Sequence, residues 1–131
     1  MRGRSRVDAF RVAATPTSLD EAVWPSESLV LRTAADEVLV IGSDAPTVSD
    51  PHAVVIDDTG WERFEISAIE GPSVMAHLAA WPAPSEGFAQ GAMAGVPAKV
   101  VVGPDRWLIV VASAMADDFA VRLQPILEAG Q

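Results

Sequence analysis

The chain has 131 residues, half of them apolar, and a net charge of −9. That length and apolar fraction fit one domain with a substantial core, and the acidic balance argues against a nucleic-acid backbone as the main partner. No cysteine is present, which excludes a disulfide frame and a thiolate metal site.

The opening stretch MRGRSRVDAF lacks the apolar run of a secretory signal. Elsewhere the apolar runs are too short to cross a bilayer, so the expectation is a soluble, cytoplasmic protein with no membrane partner. Four of the nine basic residues, Arg2, Arg4, Arg6 and Arg11, crowd the N-terminus with only Asp8 among them. Without those five residues the body carries a net −12. The basic arm reads as a loosely ordered, solubilising end or as a handle for an acidic partner.

In chain order, Val7, Phe10 and Val12 suggest an edge strand. Ser18 with Glu21 forms a capping-box pattern, so a short helix is expected over 19–23, stopped by Trp24-Pro25. Residues 29–33 and 37–41 read as a hairpin joined by Ala34-Ala35-Asp36. Residues 42–51, rich in Ser, Asp, Pro and Thr, read as a surface loop. Next come an apolar run, Ala53 to Ile56, a turn at Asp57-Asp58-Thr59-Gly60, and a second strand. In that strand Phe64 and Ile66 alternate with Glu65 and Ser67.

Glu70-Gly71-Pro72-Ser73 is a helix start, with Pro at a position where its missing N–H costs nothing. Val74, Met75, Leu78 and Ala79 form the apolar stripe, and Trp81-Pro82 ends the helix. Residues 82–97, with three Pro and three Gly, read as irregular. Residues 99–102 and 107–111 form a further hairpin across Gly103-Pro104-Asp105. Ser113 is expected to cap a last helix over about 114–128, buried through Ala116, Phe119, Ala120, Leu123, Ile126 and Leu127. Pro125 should kink or loosen its final turn.

Shifting the chain by 69 residues lays 29–41 over 98–110, with Asp36 on Asp105 and Leu39 on Leu108. Two unrelated hairpins would look alike in this way, as would two halves of a pseudo-symmetric domain. The expected class is α+β: antiparallel sheet made of two hairpins and a central strand pair, with two helices packed on one face, in a ferredoxin-like pseudo-symmetric arrangement. The expected organisation is an N-terminal arm with its short helix over 1–24 and a single α+β domain over 25–131.

Catalytic patterns are sparse. Asp58-Thr59-Gly60 matches the short signature of aspartic proteases, which need two carboxylates sharing a proton, and one copy would require a homodimer. A hairpin turn accounts for the same residues. His52 and His77 are the only histidines, and neither has a second ligand at helical spacing. Asp44, Asp50, Asp57 and Asp58 lack calcium-loop spacing. Gly71, Gly87, Gly91 and Gly95 form no phosphate loop. The serines at 26, 28, 43, 49, 67, 73, 85 and 113 lie in no nucleophile elbow. No catalytic, cofactor-binding or metal-binding residue is therefore assigned. The four tryptophans, Trp24, Trp61, Trp81 and Trp107, are numerous for this length, and such residues anchor protein interfaces. By size and by expected position at element ends, Trp61, Trp81, Phe88 and Trp107 are the candidate interface residues.

Four segments in order carry a family likeness: Ala35-Asp36-Glu37-Val38-Leu39, Glu70-Gly71-Pro72-Ser73-Val74, Phe88-Ala89-Gln90-Gly91, and the strand–helix unit from Gly103 to Ser113 with Asp118-Phe119. Together they span about residues 25–128. The pattern resembles the gamma subunit of heterotetrameric sarcosine oxidase, a relative of the glycine-cleavage T-protein, folate-binding fold. The sequence departs from that pattern at Ala83 to Gly87 and at Ala112 to Met115.

The resemblance implies a non-catalytic structural subunit of a heteromeric, flavin-dependent sarcosine or N-methyl amine oxidase complex, holding no cofactor itself. FAD, FMN, NAD and tetrahydrofolate would then sit on larger partner subunits, which pass a one-carbon unit to tetrahydrofolate. An alternative is a stand-alone folate- or pterin-binding module of the T-protein-like fold, and a homodimeric protease built on Asp58 is a third reading.

Overall fold

The computed structural model describes residues 3–42 and 44–130. Arg2 of the basic arm and Ser43 lie outside the described residues. The elements in chain order are β1 (Gly3–Ala13), α1 (Pro16–Glu21), β2 (Leu29–Ala34), β3 (Glu37–Ile41), β4 (Val54–Ser67), α2 (Gly71–Leu78), β5 (Gly87–Met93), β6 (Val96–Val102), β7 (Arg106–Ala112) and α3 (Ser113–Ala129). Among the described residues the fold is α+β, with seven strands hydrogen-bonded in the order β2-β3-β1-β4-β7-β6-β5 and three helices. Among the described residues, no helix is long and apolar enough to cross a membrane.

The chain divides into two compact units. One is formed by residues 7–59 and the other by residues 3–6 with 60–130.

In the first unit, β2 and β3 form the expected hairpin, Leu29 opposite Ile41 and Leu31 opposite Leu39, with an irregularity between Arg32 and Ala34. The segment expected as an edge strand pairs with β3 from Ala9 opposite Ile41 to Ala13 opposite Glu37, and β1 stands between β3 and β4. The short helix starts earlier than its capping box suggests. Thr15, not Ser18, is the N-cap, its hydroxyl accepting from the Ser18 N–H, with Pro16 in the first turn. Leu19 of α1 packs with Val12, Val38 and Val40, against Ala14, Trp24, Val30 and Val48. Asp50 ties the loop down, accepting from the His52 N–H at 2.9 Å and the Thr15 N–H at 3.2 Å. Those two donors, His52 foremost, hold its carboxyl below the usual carboxylate range.

The expected turn at Asp57 to Gly60 does not exist: Val54 to Ser67 is one strand. Gly60 does take the positive φ of 89° that its turn chemistry suggests, yet the backbone stays extended through it. β4 is hydrogen-bonded to β1 on one side and β7 on the other, and tertiary pairing outweighs local turn propensity. Arg11 reaches Asp58 from β1, Nη2 at 2.8 Å and Nε at 3.1 Å from Oδ2, which stabilises an acidic residue inside a strand. Val54, Val55 and Ile56 are 54%, 37% and 50% exposed. The ladder to β7 covers only Trp61 to Ser67, so no strand pairs that flank of Val54 to Ile56 among the described residues.

In the second unit, residues 82–97 also depart from expectation. They hold β5 and the start of β6, an antiparallel hairpin from Gly87 opposite Val102 to Met93 opposite Val96. Its two-residue turn, Ala94-Gly95, has φ of 52° and 78°, the left-handed pair of a type I′ hairpin. The strand was hidden because Gly-Phe-Ala-Gln-Gly-Ala-Met has no β-branched residue and two glycines. β6 and β7 form the further hairpin expected from the sequence, Val100 opposite Ile109, and β7 continues to β4 with Phe64 opposite Ile109.

Both longer helices cover one face of this sheet. Phe64, Ile66, Val100, Ile109 and Val111 meet Val74 and Met75 of α2 and Ala116, Phe119, Leu123 and Leu127 of α3 in one buried cluster. Phe64 and Phe119 meet edge to face at 5.2 Å between centroids. α3 begins at Ser113, whose hydroxyl makes no cap bond, and continues through Pro125 to Ala129. At the edge of the cluster Arg4 donates to Glu62 at 2.8 Å and to Asp117 at 2.5 Å, and its guanidinium lies 5.2 Å from the Phe64 ring centroid. Glu62 is the one buried charged residue among those described.

Candidate functional site

A pocket among the described residues lies in the second unit, beside α2. Its construction begins at the helix entrance. The Ser67 N–H donates to the Glu70 carboxylate at 2.8 Å, and the Glu70 N–H donates to the Ser67 hydroxyl at 3.1 Å. This reciprocal exchange has the pattern of a capping box but closes the turn that precedes α2, whose own N-cap, Glu70, makes no side-chain cap bond. Gly71 then lies against Trp107: a Cβ there would stand 2.4 Å from an indole carbon. The missing side chain lets α2 approach the sheet, and Trp107 is 7% exposed.

α2 closes at Leu78, before the expected Trp81-Pro82 stop, with the Ala79 N–H bonded to the Met75 carbonyl. Ala79 forms an isolated bridge to Met93, which pulls the chain out of the helix and along β5. Trp81 follows. Its indole N–H donates to the Ala92 carbonyl at 2.9 Å, and its ring covers Gly91, where a Cβ would meet the indole nitrogen at 2.5 Å. The Pro82-Ala83-Pro84-Ser85 segment continues the wall.

These pieces line an open pocket of about 690 Å³, formed by Pro72, Met75, Ala76, Ala79, Ala80, Trp81, Pro82, Ala83, Pro84, Ser85 and Trp107. That size is within the usual range for ligand pockets. No lining residue is charged, and the Ser85 hydroxyl is the only side-chain hydrogen-bonding group in the lining besides the indole N–H groups. The chemistry on offer is contact with apolar surface, not proton transfer or charge stabilisation.

Of the four candidate interface residues, the structure brings Trp81 and Trp107 together here. Trp61 and Phe88 are elsewhere. Trp61 is in the middle of β4, not at its end, and is opposite Ala112. It alternates with the core residues Phe64 and Ile66, so it points to the face of the sheet away from the helices. The Lys99 ammonium is 5.0 Å from its ring centroid, and its indole nitrogen is buried without a hydrogen-bond partner. Phe88 is opposite Val101 on β5, half-buried. The pocket itself was not read from the sequence. Its signal was the alanine–proline run around Trp81, a segment too poor in large side chains to fill the space beside α2.

The remaining motifs do not converge. Asp58 is bound by the Arg11 guanidinium at 2.8 Å. His77 stands on α2 with Nδ1 2.8 Å from the Ser73 carbonyl oxygen. His52 is in the loop held by Asp50. Among the described residues, no three His, Asp or Glu side chains come together as a metal-binding group.

No family model matches the chain, and no curated protein matches it. Its fold is similar to that of a chain in the solved structure of heterotetrameric sarcosine oxidase from Corynebacterium sp. U-96 in complex with pyrrole 2-carboxylate. The TM-score is 0.70 at 14% identity, over 96% of this chain and 83% of that chain, so that chain is slightly longer than this one and the likeness is one of fold.

Proposed function

We propose that this chain is a structural, non-catalytic subunit of a heteromeric flavin-dependent sarcosine or N-methyl amine oxidase complex, in the role of a gamma subunit. The observation that carries the reading is the fold match along 96% of the chain to a component of heterotetrameric sarcosine oxidase. The order of segments that resembles the gamma subunit supports it independently. The partners would be larger flavoprotein subunits, and FAD, FMN, NAD and tetrahydrofolate would be bound there. In this reading the β2–β3 and β6–β7 hairpins are related halves of a pseudo-symmetric, T-protein-like domain.

Co-expression with the subunits encoded beside it tests the proposal. The expected result is a stable complex that oxidises sarcosine, while the purified chain alone is colourless and inactive. An isolated chain that turns over an amine, or one that stays monomeric in the presence of those subunits, overturns it.

A folate- or pterin-binding module is the second reading, favoured by the paired indoles of Trp81 and Trp107 at one cavity. Titration of indole fluorescence with folinic acid separates the two.

A further inference from the structure

We infer that the cavity between α2 and the Trp81–Ser85 segment seats one large apolar side chain presented by a partner polypeptide whose flanking residues are basic. The inference rests on the subunit reading above and names the chemistry of the contact.

Three observations support this occupant. First, the walls are set before anything binds. Trp81 is pinned by its bond to the Ala92 carbonyl, and Trp107 is wedged against Gly71. A rigid aromatic pocket loses little entropy when it receives an anchor, which is how interface hot spots concentrate their energy.

Second, the lining holds no charge and very few hydrogen-bonding side-chain groups. Small polar metabolites are oriented by several convergent polar side chains, and this cavity does not supply them. An apolar side chain on a polypeptide is oriented by its own backbone and by contacts outside the cavity.

Third, the lining segments are flanked in sequence by acidic residues. Glu70 precedes Gly71 and Pro72, and the exposed Glu86 follows Ser85. Arg106, next to Trp107 in sequence, is paired with Glu65 at 2.6 Å, and the whole chain carries −9. Lysine or arginine beside the anchor complements that field.

The probe is the peptide acetyl-Lys-Lys-Phe-Lys-Lys-amide, followed by indole N–H resonances of the full chain labelled with ¹⁵N-tryptophan. Saturable shifts are expected at Trp81 and Trp107, with Trp24 unmoved. Replacing Phe by Ala, or the four Lys by Glu, should weaken binding by about tenfold or more. Ala76 is exposed on the cavity wall, so Ala76→Trp fills the space from outside the core and should abolish the shifts while circular dichroism stays unchanged. Ala80→Trp repeats the test from the other side. Any one of four results overturns the inference: no saturable binding, equal binding of the Ala or Glu peptide, unchanged binding to both filled variants, or saturation of the same two tryptophans by folinic acid.

The two readings fail separately. Subunits that co-purify equally well with the wild type and with Ala76→Trp leave the subunit role standing and remove the anchor. Peptide binding that follows the pattern above, with no co-purifying subunit, leaves the anchor chemistry and removes the role.

Discussion

Gly71 and Trp107 are in contact across the joint between α2 and β7, with no room for a methyl group between helix backbone and indole. Gly71→Ala would place a Cβ 2.4 Å from an indole carbon. Either the helix lifts or the ring turns, and overpacking of this kind costs about 1–3 kcal/mol. Chemical denaturation should report that loss, with a changed near-ultraviolet tryptophan signal. An unchanged midpoint would mean that the helix start is looser than described.

Arg4 and Glu62 make the second prediction. Glu62 is 8% exposed and accepts from Arg4 at 2.8 Å. Arg4→Ala leaves a buried carboxylate without its cation, at a cost of about 2–3 kcal/mol. Glu62→Met alongside Arg4→Ala should recover most of the loss, because the penalty comes from the unpaired charge and not from the missing attraction. Equal destabilisation in the single and double variants would disprove this account.

Phe119 is fully buried and meets Phe64 edge to face. Phe119→Ala removes both the ring burial and the pair geometry, and should cost about 3–5 kcal/mol. Phe119→Leu, which keeps most of the volume, should cost clearly less. Thermal unfolding of the two variants side by side provides the check.

Asp50 predicts an acid-side effect. Its folded carboxyl is held below the usual range by the N–H groups of His52 and Thr15. The unfolded state therefore takes up its proton first as pH falls. The stabilisation is complete above the unfolded carboxylate value and is lost as pH drops through the lower, folded one. Asp50→Asn should flatten that part of the stability–pH curve and release the loop onto α1, visible as faster amide exchange at Thr15 and His52.

At the β5–β6 turn, Ala94 holds a positive φ of 52°, which an alanine side chain disfavours by about 1 kcal/mol. Ala94→Asn supplies the Asn-Gly pair that this turn type prefers and should raise the melting temperature without touching the core.

Much of the architecture could be read in advance because it rests on apolar patterning. The β2–β3 and β6–β7 hairpins are short apolar runs broken by turn residues, and α3 carries its buried stripe at Ala116, Phe119, Leu123 and Leu127. Structure and local pattern part where packing overrules local preference. Asp57 to Gly60 has the composition of a turn, and only partners far along the chain, Arg11 among them, keep it extended. β5 has weak strand composition and exists because Val96 to Val102 offers it a ladder. The sequence singles out the tryptophans by size and number and does not pair Trp81 with Trp107. Trp81 and Trp107 come together through the early end of α2 and the bridge from Ala79 to Met93, neither of which leaves a mark in the sequence.

Three consecutive β-branched side chains at Val54 to Ile56 are exposed on a strand whose ladder to β7, among the described residues, covers only Trp61 to Ser67. Such a ribbon is a template for stacking identical copies, the first step toward insoluble aggregates. Storage behaviour of the lone chain should accordingly depend steeply on concentration, with turbidity appearing sooner than an acidic protein of this charge would suggest. Val55→Lys, which places a like charge on every copy, should delay it.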